Sequence, residues 1–220
     1  MRVHPQQRKA DGDLSLSLKK FLAIGASIVA ILAGLLTANY LLAPRAIQLA
    51  SGTLLNEPRE LPDFLLTDQS NHFLHKDDFA GHWTLIFPGF TYCPDVCPTT
   101  LAFLKQLSAA LGPESAQLKV LFLSVDPERD TPQRLNEYIR FFSPDFIAAT
   151  TGEPMLTEFA RNLGVVYTKV PGDKPDTYSM DHSAVLILID PQVRIAAYFT
   201  PPHSLKAMTT DLRALITSKP

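Results

Sequence analysis

The sequence predicts an α/β domain preceded by a single membrane-spanning helix, and two features of the pattern carry that expectation. An uncharged run extends from Phe21 to Pro44, bounded by Lys20 and Arg45. After residue 60, short apolar runs alternate with segments whose apolar residues recur at helical spacing, the signature of packed strands and helices. The chain has 220 residues, and a domain of roughly 150 residues buries close to 70% of its unfolded surface, enough for one core.

Residues 1–20 read as a leader carrying Arg2, Arg8, Lys9, Lys19 and Lys20. Residues 21–43 follow as the anchor, since a helix of roughly 20 apolar residues crosses a bilayer's hydrocarbon core. A cleaved signal peptide has an apolar region of only about 7–15 residues, and no small-x-small cleavage site stands out here. Past the span, Arg45 and Arg59 are mixed with Glu57 and Glu60. The positive-inside rule therefore leaves the leader in the cytoplasm and exports the rest. Asp11 and Asp13 in the leader are unlike an acid-poor mitochondrial import signal. A bacterial inner membrane with the domain in the periplasm is the expected location; the alternative is the mitochondrial inner membrane, facing the intermembrane space.

Residues 44–60 mix Pro, Ser, Gly, Asn and charge without period and read as a linker holding the domain off the membrane. The domain itself is expected over residues 61–220. His82–Phe87, Leu118–Val125, Val165–Val170, Ala184–Ile189 and Arg194–Phe199 read as strands, the second and fourth apolar enough to be central. Leu135, Tyr138, Ile139 and Phe142 follow i, i+3, i+4, i+7 behind Thr131 as N-cap and Pro132 as first helical residue. Leu156, Phe159, Ala160 and Leu163 repeat the pattern up to Gly164, a fitting C-terminal stop. Leu104, Leu107 and Leu111 stripe a helix beginning near Thr99, and Ser204 opens a last one bearing Leu205, Met208, Leu212 and Leu215. The formal net charge is -2, which gives no basic field for a polyanion, so nucleic acid is excluded as an expected partner.

The chain has two cysteines, and both lie in one pentapeptide, Cys93-Pro-Asp-Val-Cys97. A disulfide there would close almost no loop and stabilise little, so the pair reads as chemical and not structural. Free cysteines are often inert core residues, but neighbouring thiols in an oxidising compartment seldom persist without a use. The pentapeptide leaves what reads as the domain's first strand and enters a helix. A helix N-terminus favours anions and lowers a thiol's pKa. Thiols four residues apart on one helical face are close enough to share an ion or to oxidise together, and both outcomes stay open.

Two thiolates fall short of a structural zinc site, which takes four ligands. Soft thiolates select Cu(I), and an imidazole extends the choice to Cu(II). There are six histidines. His4 is on the wrong side of the membrane, and His72, His75, His82 and His203 sit in polar or turn-like contexts. His182 stands in Tyr178-Ser-Met-Asp-His-Ser-Ala184, just before the apolar run to Ile189, where it can project from the edge of the sheet. Asp126, Glu128 and Asp130 invite a carboxylate chemistry, but Asp and Pro before a helix are ordinary turn and cap chemistry.

Thr91-Tyr-Cys-Pro-Asp-Val-Cys-Pro98, then Leu101, Ser124-Val-Asp-Pro-Glu-Arg-Asp-Thr-Pro132 and Asp181-His-Ser183 together closely resemble the SCO/SenC family, in order from about Leu61 to the C-terminus. The resemblance implies a thioredoxin-like fold and a copper site of Cys93, Cys97 and His182. It also implies a part in assembling the binuclear copper centre of cytochrome c oxidase. Cys93 and Cys97 would also be its redox-active disulfide. Asp181 is a candidate to orient a metal-bound histidine, as such ligands usually need. Phe87-Pro-Gly-Phe90 departs from the Phe-Gly-Tyr expected before Thr91, with an extra proline.

The first expected function is a membrane-anchored copper metallochaperone, not an enzyme, serving the copper-bearing subunit of the oxidase. Other periplasmic copper chaperones or thiol-disulfide proteins are further expected partners. The alternative is a thiol-disulfide reductase that keeps the oxidase's copper-site cysteines reduced, because the dithiol that binds copper also reduces disulfides. His182 discriminates between them, since dithiol exchange does not need it. A peroxiredoxin-type peroxidase ranks last, because its Thr-x-x-Cys approach is not matched by Thr91-Tyr-Cys93.

Overall fold

The computed structural model describes residues 5–42, 48–174 and 177–218. Two units divide the chain, Met1–Ala46 and Ile47–Pro220. The first contains helix α1, Pro5–Leu42, of which Phe21–Asn39 is long and apolar enough to cross a membrane. The helix thus begins within the expected leader; Arg2 and His4 lie outside the described residues.

The second unit is built on an eight-stranded sheet. Its strands are β1 (Thr53–Glu60), β2 (Leu65–Asp68), β3 (Phe73–His75), β4 (Trp83–Gly89), β5 (Leu118–Ser124), β6 (Ile147–Thr150), β9 (Leu186–Ile189) and β10 (Arg194–Phe199), in the order β1-β10-β9-β4-β5-β6-β2-β3. A separate two-stranded hairpin pairs β7 (Tyr167–Pro171) with β8 (Tyr178–His182). Strands β4, β5 and β6 run parallel and the remaining neighbours antiparallel. The helices are α2 (Val96–Leu111), α3 (Pro132–Phe142), α4 (Met155–Leu163) and α5 (Leu205–Thr217).

Side chains alternate across a strand, and the two faces of the sheet build two cores. Leu85, Phe87, Phe122 and Leu188 pack under α2, α3 and α5, whereas Ile86, Leu121, Leu123 and Ile187 pack against Leu156, Phe159 and Leu163 of α4. Strands buried on both faces are continuously apolar, which is why β5 and β9 are readable as central; β4 lies between them. The caps behave as their chemistry requires. Thr131 accepts from the Arg134 amide, Ser204 from the Ala207 amide, and Gly164 closes α4 in the left-handed conformation.

The structure corrects several boundaries. Residues 53–60 of the expected linker are edge strand β1, paired with β10 through a register shift between Leu54 and Arg59. An exposed, bulged edge strand that tolerates Pro58 shows no clean alternation, so its sequence looks like tether. The remaining linker residues 48–52 are described, and 44–47 are not. Three strands precede β4, which is not the domain's first, and α2 starts three residues before Thr99. The Val165–Val170 run forms β7 of the hairpin and not a strand of the main sheet.

Candidate metal centre

Strand β4 ends at Gly89, the chain turns through Phe90–Asp95, and α2 begins at Val96. The turn is tied back by the Cys93 amide, which donates to the Phe90 carbonyl at 3.3 Å. Cys97, in the first turn of α2, donates its amide to the Cys93 sulfur at 3.4 Å. Both thiols are free, Cys97 buried and Cys93 half-buried, so the pair has an inner and an outer member. Burial pushes the Cys97 thiol up, with the nearby Cys93 adding to the effect and a backbone hydrogen bond at Phe90 opposing it. For Cys97 the direction is thus opposite to the lowering expected at a helix N-terminus, and desolvation of the enclosed sulfur is the largest cause.

Gly89 is part of the same enclosure, and nothing in the sequence pattern marked it. A Cβ there would stand 2.5 Å from Phe122 Cε2 and 3.0 Å from Cys97 Sγ. Only glycine lets the end of β4 pass that close to the inner thiol. The preceding Pro88 costs the sheet little, because β9 pairs with β4 only at Thr84–Ile86, before the proline.

His182 is the last residue of β8. It projects from the end of the hairpin, not from the edge of the main sheet. Its Nε2 lies 3.8 Å from Cys97 Sγ, and its ring meets Phe90 edge-on with centroids 6.0 Å apart. Nδ1 is 3.1 Å from the Ser183 carbonyl. A carbonyl only accepts, so Nδ1 carries the proton and Nε2 turns a lone pair toward the sulfur. Burial holds the imidazole below its ordinary pKa, keeping it neutral at neutral pH. Asp181 is exposed on the opposite face of β8; alternation along the strand aims it away, and the Ser183 carbonyl orients the ring in its place.

Cys93, Cys97 and His182 are therefore neighbours, but among the described residues no three His, Cys, Asp or Glu side chains are gathered tightly enough to hold an ion as they stand. Cys97 and His182, 3.8 Å apart through Sγ and Nε2, are the residues that would hold a copper ion together with Cys93, a soft-sulfur and imidazole donor set that suits that metal. Cys93 is the more accessible of the two sulfurs.

The Asp126–Asp130 turn supports this arrangement. Asp130 is fully buried and accepts from the Thr91 amide at 3.0 Å, the Thr91 hydroxyl at 2.6 Å and the Ser124 hydroxyl at 2.6 Å. Desolvation raises its pKa against those hydrogen bonds. Asp126, also buried, accepts from the Tyr178 hydroxyl at 2.8 Å and from Arg129 Nε at 2.5 Å. These carboxylates brace the site rather than react, and the short-range turn chemistry hid partners 39 and 52 residues away in sequence. Asp130→Ala should strand the Thr91 amide in the interior and destabilise the domain by about 2–4 kcal/mol, whereas Asp130→Asn keeps an acceptor and should lose less than half of that. Urea midpoints of the two variants check this; equal losses would mean that the hydrogen bonds to Thr91 do not carry the effect.

A sheet flanked by helices on both faces, with two thiols at a strand-to-helix turn and an imidazole brought over the inner one, defines a thioredoxin-like dithiol protein with a third donor. The SCO1/SenC family model matches residues 53–217, and the chain belongs to that family. A SCO2-like protein of Rickettsia conorii is 36% identical over 152 residues, 69% of this chain and 74% of that protein. Bradyrhizobium japonicum ScoI, solved with copper bound, matches with a TM-score of 0.65 and 33% identity, covering 70% of this chain and 98% of that one. Apo Sco1 of Thermus thermophilus matches with a TM-score of 0.67 and 35% identity, covering 74% and 95%.

Proposed function

We propose that this chain is a membrane-anchored copper metallochaperone. It takes copper on Cys93, Cys97 and His182 and delivers it to the copper-bearing subunit of cytochrome c oxidase, for the binuclear centre. The observation that carries the proposal is the neutral imidazole turned toward the inner thiol at 3.8 Å. A dithiol that only exchanges disulfides needs no such partner. The copper held by the Bradyrhizobium relative and the shared family support the same reading. Thiolate ligands favour Cu(I), and the imidazole admits Cu(II). The half-buried Cys93 is the sulfur an acceptor protein can reach, and ligand exchange would begin there.

In this reading residues 1–20 stay in the cytoplasm, the span within 21–43 anchors the chain in a bacterial inner membrane, and the domain works in the periplasm. Its other partners are the chaperones or thiol-disulfide proteins that load or reduce it. A second reading, reduction of the acceptor's cysteines, draws on the contact of the Cys97 amide with the Cys93 sulfur, which holds the two thiols side by side. Both activities start from the reduced pair.

Because the ligands are thiolates, copper uptake requires the dithiol and is lost when Cys93 and Cys97 pair. Free-thiol titration beside bound copper on the full chain in detergent should give two thiols per copper site and no binding after oxidation. Full copper loading of the oxidised protein would refute the assignment of the ligands.

A further inference from the structure

His182 rides on a hairpin whose two strands, among the described residues, pair only with each other. An isolated two-stranded hairpin is marginal in water, so whatever docks β8 decides where the imidazole stands. Tyr178, Met180 and His182 share one face of β8 by strand alternation. Met180 is buried in the core beneath α2 and α3, and His182 meets Cys97. At the far end, Tyr178 meets Arg129.

We infer that Arg129 is a positioning residue: it clamps the hairpin bearing His182 to the loop bearing the cysteines, and thereby sets the imidazole's distance from the dithiol. Its Nε donates to Asp126 at 2.5 Å and its Nη1 to the Tyr178 carbonyl at 3.0 Å. Its guanidinium carbon lies 3.6 Å from the centroid of Tyr178, on the hairpin, and 4.7 Å from that of Tyr92, next to Cys93. The same cation therefore stacks on one ring from each half of the site. Asp126 completes the bridge by also accepting from the Tyr178 hydroxyl. A planar, permanently charged fork can bond in its plane and stack on its faces at once, which an ammonium cannot do.

His182 itself meets Phe90 of the cysteine turn, but the hairpin's other polar contacts among the described residues lie away from that turn. Lys169 pairs with Glu128 at 2.6 Å on an exposed surface, where ion pairs contribute little. Tyr167 hydrogen-bonds Glu153 at the start of α4, and Ser183 pairs with Val166 at the hairpin's base. Among the described residues Arg129 is the side chain recorded against Tyr178 and Tyr92 together.

The inference rests on the copper reading for its consequence, but not for its first test. In the reduced, copper-free full chain, Arg129→Lys should speed amide hydrogen exchange over residues 178–182 by about tenfold or more, the factor that goes with a charge-assisted hydrogen bond. Amides of β4, β5 and β9 should hold their protection. With copper, the variant should keep Cu(I) on the two thiolates, while its thiolate-to-Cu(II) absorption shifts or weakens. If Arg129→Lys loses protection throughout the sheet, Tyr178→Phe replaces it; that variant removes one hydrogen bond to Asp126 and should give the same local loss at smaller size. Unchanged exchange over 178–182 in the folded variant overturns the clamp. Absence of copper binding by the wild type would overturn the copper reading alone, and the exchange difference would still stand.

Discussion

His182→Ala is expected to abolish the thiolate-to-Cu(II) absorption of the reduced, copper-loaded protein while leaving Cu(I) bound. Cu(I) is content with two thiolates, whereas Cu(II) has stronger use for an imidazole. Losing even a partner outside the ligand sphere costs roughly 10- to 100-fold in metal affinity, so Cu(I) binding should weaken by at least that factor without disappearing. The ring sits half-buried at the end of a hairpin, outside both core clusters, so its removal leaves the two cores intact. Dithiol exchange by Cys93 and Cys97 should survive, because their loop is held by Asp130 and Thr91, not by the histidine. Oxidase assembly in cells should fail despite that working dithiol. Wild-type binding of both copper states and normal assembly by His182→Ala would make the histidine structural and move the reductase reading into first place.

The parts of this molecule written in local pattern were legible from the sequence. Helices α3 and α4 announce themselves because Leu135, Tyr138, Ile139 and Phe142, and Leu156, Phe159, Ala160 and Leu163, keep the 3.6-residue period. Thr131 and Gly164 then supply the chemistry that starts one and stops the other. Strands β5 and β9 are legible because burial on both faces demands unbroken apolar runs. The four-residue strands β2 and β6 and the three-residue β3 are too short to show a period. β1 is an edge strand whose residues are mostly exposed, so hydrophobicity does not mark it.

The site divides in the same way. Spacing put Cys93 and Cys97 on one turn, and motif resemblance brought His182 to them. What holds the three in place is non-local, and period or propensity cannot register it. Thr91 finds Asp130 across 39 residues, Arg129 finds the Tyr178 carbonyl across 49, and His182 finds Cys97 across 85. The apolar run after His182 suggested a perch at the edge of the main sheet. The chain instead returns from β7 through a separate hairpin, and only its last residue reaches the thiol. That difference matters for chemistry, because a residue on a hairpin can be moved without disturbing the sheet.

Gly89→Ala should destabilise the domain and disturb the inner thiol at once. The added carbon would lie 2.5 and 3.1 Å from two ring atoms of Phe122 and 3.0 Å from the Cys97 sulfur. Phe122 has no room to retreat: it is fully buried, and its ring packs against Phe87 and Tyr138 with centroids 5.8 and 5.6 Å away. Gly89 cannot shift easily either, since its carbonyl accepts from the Val125 amide at 2.9 Å at the end of the β4–β5 ladder. Overpacking of this kind costs about 1–3 kcal/mol, read as a lower urea midpoint at unchanged slope. The steric demand falls on two neighbours, and a second substitution separates them. Phe122→Leu in the Gly89→Ala background removes the ring atoms and should recover part of the stability, with the two changes non-additive because they share one contact. The sulfur would remain displaced, so the double variant should still bind copper more weakly than Phe122→Leu alone. Equal copper binding by those two proteins, or strict additivity of their stability losses, would show that the close passage of β4 beside Cys97 is incidental to the site.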